Sequence, residues 1–249
     1  MARLEQLLAR NLGCSRADAR RLVIRQAITD HRGQVLADPR LEVDATETPV
    51  AIRLDDRVVA LHDSAHVLLN KPVGCVTALT DPVHPVASSY LQNAPLATEL
   101  RAVGRLDLDT SGLLLWTTDG GWLQRLTHPK RRVPRTYQAA LARPFTPLTG
   151  TLVLHDGHIP QIDTLEIVDA DRLHPSLARP ADAQVYATIT IIGGAYHEVR
   201  RIFAALDSHV VALCRVAFGD LLLPRDLPSG QWQHIVPDRV WPASSRSTS

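Results

Sequence analysis

Apolar residues near the start of the chain recur with helical spacing. Leu4, Leu7, Leu8 and Leu12 fall on one face, and Gly13 supplies a stop. A second helix is expected in "CSRADARRLVIRQ". Ser15 suits its N-cap, and Asp18 follows three residues on, as in a capping box. Ala19, Leu22 and Val23 form the inner face, while Arg16, Arg20 and Arg21 gather on the other side, with Arg25 one turn beyond Arg21. The spacing then changes to short strands, "AIT" and "QVLAD", around a turn at "DHRG". A helix pair and a small sheet in about 60 residues can fold alone. Residues 54–66, "LDDRVVALHDSAH", are polar and read as a linker.

Strand patterns dominate the remainder. "HVLLNKPVG" is an apolar strand ended by Pro72 and Gly74, and "GLLLWTTDG" at 112–120 is another, closed by a turn. "RTYQAALA", "VYATITII" and "SHVVALCRVAFG" alternate with period two. Two helices interrupt them: "GWLQRLTHP", stopped by Pro129, and "YHEVRRIFAAL", spaced through Val199, Phe203 and Leu206. This mixture predicts an α+β domain on a mixed, largely antiparallel sheet. The expected divisions are residues 1–60, residues 61–242 and a disordered polar tail at 243–249.

Composition sharpens this picture. Of 249 residues 45% are hydrophobic, enough for a core and against global disorder. The net charge of +1 gives no overall case for a polyanionic partner, but its distribution does. Residues 1–32 and 100–137 each carry seven basic side chains against three acids, and the stretch 33–63 between them is acidic. Basic patches of this kind guide a polyanion to a surface. All but Lys71 and Lys130 of the 27 basic residues are arginine, whose planar fork suits phosphates and stacking on bases. Cys14, Cys75 and Cys214 are too scattered for a zinc knuckle or a disulfide framework. The eleven histidines form no H-E-x-x-H pattern, so no metal ligand set is expected. The charged N-terminus is no secretory signal, and no apolar run reaches 18 residues. No membrane association is expected, and the cytoplasm is the expected compartment.

The stretch "GRLDLDTSG" at 104–112 is chemically ambiguous by itself. An Asp-x-Asp pair serves as nucleophile and Mg²⁺ ligand in some phosphatases, but those motifs end a buried apolar strand and need a later acidic pair. Two carboxylates can also serve a glycosidase, although a second cluster is missing. Asp, Thr, Ser and Gly are equally the residues of a turn. On residue types alone the turn is favoured.

The surrounding blocks change that balance. "LNKPVG", "AVGRLDLDTSGLLLWTTDG", "HPKRRVPRTYQAAL" and "YHEVRRIFAALDSHVV" occur in this order, and the series closely resembles the RsuA/RluB-type family of ribosomal RNA pseudouridine synthases over nearly the whole chain. "RLEQLLARNLGCSRADARRLV" and its strand–turn–strand resemble the S4-type RNA-binding domain, although the usual "VxVNG" turn is "ITDHRG" here. The implied fold is α+β: a small N-terminal S4-like RNA-binding domain, then a catalytic domain of the pseudouridine synthase fold.

The resemblance also implies a reaction. Uridine loses its N-glycosidic bond, the base rotates and rejoins through carbon 5, with neither cofactor nor metal. Asp107 takes the catalytic position. Arg200, the arginine of the H-x-V-R block, is implied to pair with it, where positive charge favours the ionised carboxylate. Tyr137 is implied to stack on the base, with Arg135 where the family usually has Lys. Arg105 is expected to fill the gap left by the base or grip a phosphate, and Lys71 and Asn70 to contact substrate near the site. Arg16, Arg20, Arg21 and Arg25 are expected to bind RNA. Asp109, Thr110 and Gly112 are expected to form the turn, and His197 to be structural. The implied partner is ribosomal RNA or an assembling ribosomal subunit, acted on by a monomer. The blocks look closest to the small-subunit branch, which modifies position 516 of 16S rRNA. The large-subunit branch and a noncatalytic RNA-binding assembly factor are the alternatives.

Overall fold

A computed structural model describes residues 1–45, 48–55 and 57–236. The tail expected at 243–249 lies outside the described residues. The chain divides into two compact units, Met1–Ala65 with Asn93–Leu100, and His66–Gln92 with Arg101 onward.

The first unit is built on α1 (Leu4–Leu12) and α2 (Arg16–Ile24). Gly13 ends α1 in the left-handed region at φ 64°, and the Ser15 hydroxyl caps α2 by accepting the Asp18 N–H at 3.1 Å. Leu4, Leu7, Leu8, Ala19 and Val23 are wholly buried together with Ile28 and Leu61. Each large apolar side chain so buried contributes about 1.5–3 kcal/mol. The strands are β1 (Ala2–Arg3), β2 (Ile28–Asp30), β3 (Glu42–Val43), β4 (Val50–Leu54) and β5 (Arg57–Leu61). β1 pairs with β3, and β2, β4 and β5 form an antiparallel sheet in that order.

Two expectations are corrected here. "QVLAD" is not a strand; Val35 makes one isolated bridge to Thr29. The supposed linker at 54–66 contains β5, whose Val59 and Leu61 turn inward while Arg57, Val58 and Ala60 are exposed. Its charged neighbours hid the period of two. Asn93–Leu100 joins this unit through Arg10, whose guanidinium meets Glu99 at 2.9 Å and Asp63 at 3.0 Å.

The second unit holds β6 (His66–Lys71), β7 (Arg101–Val103), β8 (Thr110–Thr117), β9 (Arg135–Leu141), β10 (Ile162–Ile167), β11 (Val185–Ile191), β12 (Val210–Phe218), β13 (Leu221–Leu222) and β14 (Trp232–His234). They form one sheet in the order β10-β11-β9-β12-β8-β6-β14, with β7 beside β8 and β13 beside β12. Only the β12–β8 pairing is parallel among the described strands, so the sheet is mixed and largely antiparallel, as the alternation predicts. The helices are α3 (Gly120–Thr127), capped by the Asp119 carboxylate, and α4 (Glu198–Ala205). β8 is buried along its whole length, and Leu113 and Leu115 share a core with Trp122, Leu126, Cys214 and Phe218. Burial pushes the Cys214 thiol up to about 11. One edge of β8 changes partner: residues 110–112 pair with β12, and residues 115–117 with β7. The loop 104–109 joins β7 to β8 where β12 takes over.

Candidate active site

The 104–109 loop is held chiefly by its backbone. Gly104 enters it at φ 74°, a conformation that favours glycine. The Thr77 hydroxyl accepts the Leu106 N–H at 3.0 Å and donates to the Leu106 carbonyl at 2.8 Å. The Gly74 N–H donates to the Leu108 carbonyl at 2.8 Å. Lys71 is wholly buried, and its Nζ donates to the carbonyls of Pro72, Asp107 and Thr110 at 3.0, 3.0 and 2.9 Å. Burial lowers the Lys71 pKa, and Cys75, Asp107 and Asp109 oppose that shift.

This geometry corrects the placement of Lys71 and Asn70 as substrate contacts. Neither lines the pocket beside the loop. Asn70 is wholly buried and its Nδ2 donates to Ser176 Oγ and the Leu227 carbonyl, both at 2.8 Å. Both residues end β6 inside the core, where a polar group is costly unless it meets backbone acceptors. Thr110 closes the expected turn, its N–H donating to the Asp107 carbonyl at 3.2 Å, and opens β8; Gly112 lies beyond the turn, inside β8, and faces the backbone of Arg215 across the parallel pairing.

Beside the loop lies a pocket of about 410 Å³. The loop contributes Arg105 and Asp107, β9 contributes Arg135 and Tyr137, the segment 194–200 closes one side, and β12 adds Leu213 and Arg215. Tyr137 is 8% exposed, and the Asp107 side chain is 34% exposed. The pocket thus combines a reachable carboxylate, a fixed aromatic ring and several guanidinium groups, which suits a flat polar base attached to an anionic backbone.

The arginine nearest the loop is arranged differently from expectation. Arg200 Nη2 pairs with Asp109 Oδ2 at 2.8 Å, and its Nη1 donates to the Val210 carbonyl at 3.0 Å. Asp107 Oδ1 instead lies 3.6 Å from His197 Nε2. The expected Asp107–Arg200 pair is therefore corrected to Asp109–Arg200, because the Val210 carbonyl holds the guanidinium on the Asp109 side. The basic residues Arg16, Arg20, Arg21 and Arg25 belong to the other unit. All four are exposed, and Arg21 is paired with Asp18.

Arg215 and Glu198 escaped the residue pattern, and His197, expected to be structural, also lines the pocket. His197 sits at the start of α4 with φ 49°, and its ring stacks on exposed Tyr196 at 3.9 Å. Arg215 is 1% exposed. A charge inside the apolar run "VVALCRVAF" was the available signal, because arginine is seldom fully buried without a purpose. Glu198 is also buried, its Oε1 2.8 Å from His158 Nε2 and its Oε2 accepting the Ala195 N–H at 2.9 Å. It fixes the segment that carries Tyr196 and His197. No group of three or more His, Cys, Asp or Glu side chains among the described residues is placed to hold a metal ion. No helix among them is long and apolar enough to cross a membrane.

Residues 65–205 match the family described as RNA pseudouridylate synthase. The chain is 32% identical over 250 residues to the ribosomal small subunit pseudouridine synthase A of Escherichia coli (strain K12), covering 96% of this chain and 98% of that protein. It is 30% identical over 245 residues to the protein of the same name from Haemophilus influenzae, covering 96% and 97%. A solved structure described as a pseudouridylate synthase superposes with a TM-score of 0.59 at 28% identity, covering 96% of this chain and all of that one.

Proposed function

Because this chain belongs to the RNA pseudouridylate synthase family, we propose that its pocket isomerises a uridine of small-subunit ribosomal RNA, at position 516 of 16S rRNA, with Asp107 as the catalytic carboxylate. The observation that carries this reading is the position of Asp107. It stands on a backbone-clamped loop, reachable from a pocket that Tyr137 also lines.

The chemistry is an isomerisation with no net oxidation. The C1′–N1 bond breaks, a C1′–C5 bond forms, C5 loses a proton and N1 gains one. A uridine stacked in a helix hides these atoms, so the nucleotide must be extruded, at a cost of a few kcal/mol. Tyr137 offers the ring on which the extruded base stacks, worth about 1–3 kcal/mol. Arg105, exposed at the pocket edge, grips the RNA backbone or occupies the vacated space. Arg200 acts indirectly, ordering the loop through Asp109. In the first unit, residues 1–60 form the RNA-binding domain, with Arg16, Arg20, Arg21 and Arg25 as its phosphate contacts. The enzyme works as a monomer in the cytoplasm on ribosomal RNA or an assembling subunit.

The relatives' printed names favour the small-subunit target over the large-subunit one. The test is pseudouridine mapping across ribosomal RNA from cells carrying the wild-type gene, a deletion, or Asp107→Asn. Position 516 should lose its pseudouridine in the last two, while purified Asp107→Asn still folds and binds RNA. A mark retained with Asp107→Asn would remove the aspartate from the mechanism, and a mark lost elsewhere would move the target.

A further inference from the structure

Two arginines of the pocket, Arg215 buried and Arg135 half-buried, form no ion pair with a carboxylate. Arg135 and Tyr137 are two apart on β9 and share a face. β12 sets Arg215 opposite Tyr137 and Phe218 opposite Arg135. In a regular strand, residues 215 and 218 would face opposite ways; a register shift between Arg215 and Ala217 turns both to the same side. The two guanidinium carbons accordingly lie 5.2 and 5.3 Å from the Phe218 ring centroid. Arg215 Nε donates to the Leu113 carbonyl at 2.8 Å, and its Nη2 is buried with no partner. Arg135 donates to the Gly193 carbonyl; burial lowers its pKa, Arg215 adds to that, and Tyr137 and Glu198 oppose it. The ion pairs among the described residues engage Arg10, Arg21, Arg200 and Arg201 but neither of these two. Glu198, also on the pocket wall, is occupied by His158 and the Ala195 N–H. Burying a cation without a counter-charge is unfavourable to stability, so this arrangement points to chemistry performed in the pocket.

We propose that Arg215, assisted by Arg135, stabilises the negative charge that develops on the uracil ring when it leaves the ribose. This rests on the reading of the pocket as the uridine site. The C1′–N1 bond breaks with its electron pair going to the ring, where the charge spreads over N1, O2 and O4, while C1′ takes up a carboxylate oxygen of Asp107. On rejoining, the ring supplies an electron pair from C5 to C1′, Asp107 departs as carboxylate, C5 loses its proton and N1 gains one. A ring stacked on Tyr137 places a carbonyl edge beside Arg215, its cross-strand neighbour. Fixed donors act strongly on charge that appears only in the transition state.

The test compares Arg215→Gln, Arg215→Lys and Arg135→Gln with wild type in single-turnover assays, alongside RNA affinity and thermal melting. Arg215→Gln should lose on the order of 100-fold in rate with RNA affinity nearly unchanged. Arg215→Lys should lose less. The deficit should shrink on RNA carrying 5-fluorouridine at the target, because fluorine makes the departing ring a more stable anion; consumption of the target nucleoside is the readout. A merely structural arginine would slow both substrates equally, and that result, or an unchanged rate, overturns the proposal. If Arg215→Gln does not fold, Arg215→Lys and Arg135→Gln carry the same comparison. Asp107→Asn run in parallel separates the two readings: activity retained there overturns the uridine site itself, whereas activity lost only there overturns the role of Arg215.

Discussion

Arg200 pairs with Asp109, its Nη2 2.8 Å from Oδ2, across 91 positions of sequence. The pair ties the start of α4 to the loop that carries Asp107, so the two carboxylates of "DLD" take separate tasks. Asp109 holds an arginine, which leaves Asp107 open to the pocket.

Breaking that tie should therefore harm the reaction more than the fold. Asp109 is well exposed, and exposed ion pairs contribute about 0–1 kcal/mol. Asp109→Asn should lower stability by no more than that, while a loosened loop lowers the turnover rate by roughly tenfold, equivalent to about 1.4 kcal/mol. The double variant with Arg200→Lys should be little worse than either single one, because each change alone already breaks the link. Full additivity in the rates would mean that Arg200 and Asp109 act separately.

Much of the fold was legible because its signals are local. The helix stop at Gly13, the Ser15 cap and the apolar run that becomes β8 each follow from residue chemistry within a few positions. β10 was not legible: its side chains are mostly exposed, so it shows no apolar period, and its place is set by its pairing with β11. The site divides similarly. Asp107 and Tyr137 stood out through the blocks that contain them. The inward turn of Lys71, the transfer of Arg200 to Asp109 and the burial of Arg215 arise from contacts between distant segments, and no spacing along one segment encodes them.

At Gly112 the backbone of β12 packs directly against β8. The glycine's φ is 103°, and a Cβ there would lie 2.3 Å from the Arg215 carbonyl oxygen. Neither backbone strand can yield without disturbing the sheet beneath the pocket. Gly112→Ala should cost about 3–5 kcal/mol, measured by urea unfolding. Gly104→Ala is the control: its φ of 74° is strained, but nothing lies within 4 Å of the added methyl, so about 1 kcal/mol is expected. Equal costs at the two positions would contradict the close approach.

Stability should also fall on mild acidification, through two histidines of the second unit. His66 Nδ1 is 2.8 Å from the Thr117 hydroxyl, and the His66 ring meets Trp122 edge-on at 4.9 Å. Burial lowers its pKa, with Asp119 opposing. His174 is 4% exposed and is lowered chiefly by burial as well. In the unfolded chain both protonate near 6.5, whereas in the fold they resist protonation until lower pH. Between the two values the unfolded state holds more protons, so stability is fully present above about 6.5 and is lost as pH falls through that window. The slope for each histidine stays below about 1.4 kcal/mol per pH unit, because at most one proton is taken up. Urea unfolding of wild type from about pH 7.5 to about pH 5 should show this decline. His66→Gln keeps a hydrogen-bonding side chain beside Thr117 but cannot titrate, so it should flatten the profile, and the double variant with His174→Gln should flatten it further. An unchanged slope in both variants would assign the acid sensitivity to carboxylates instead.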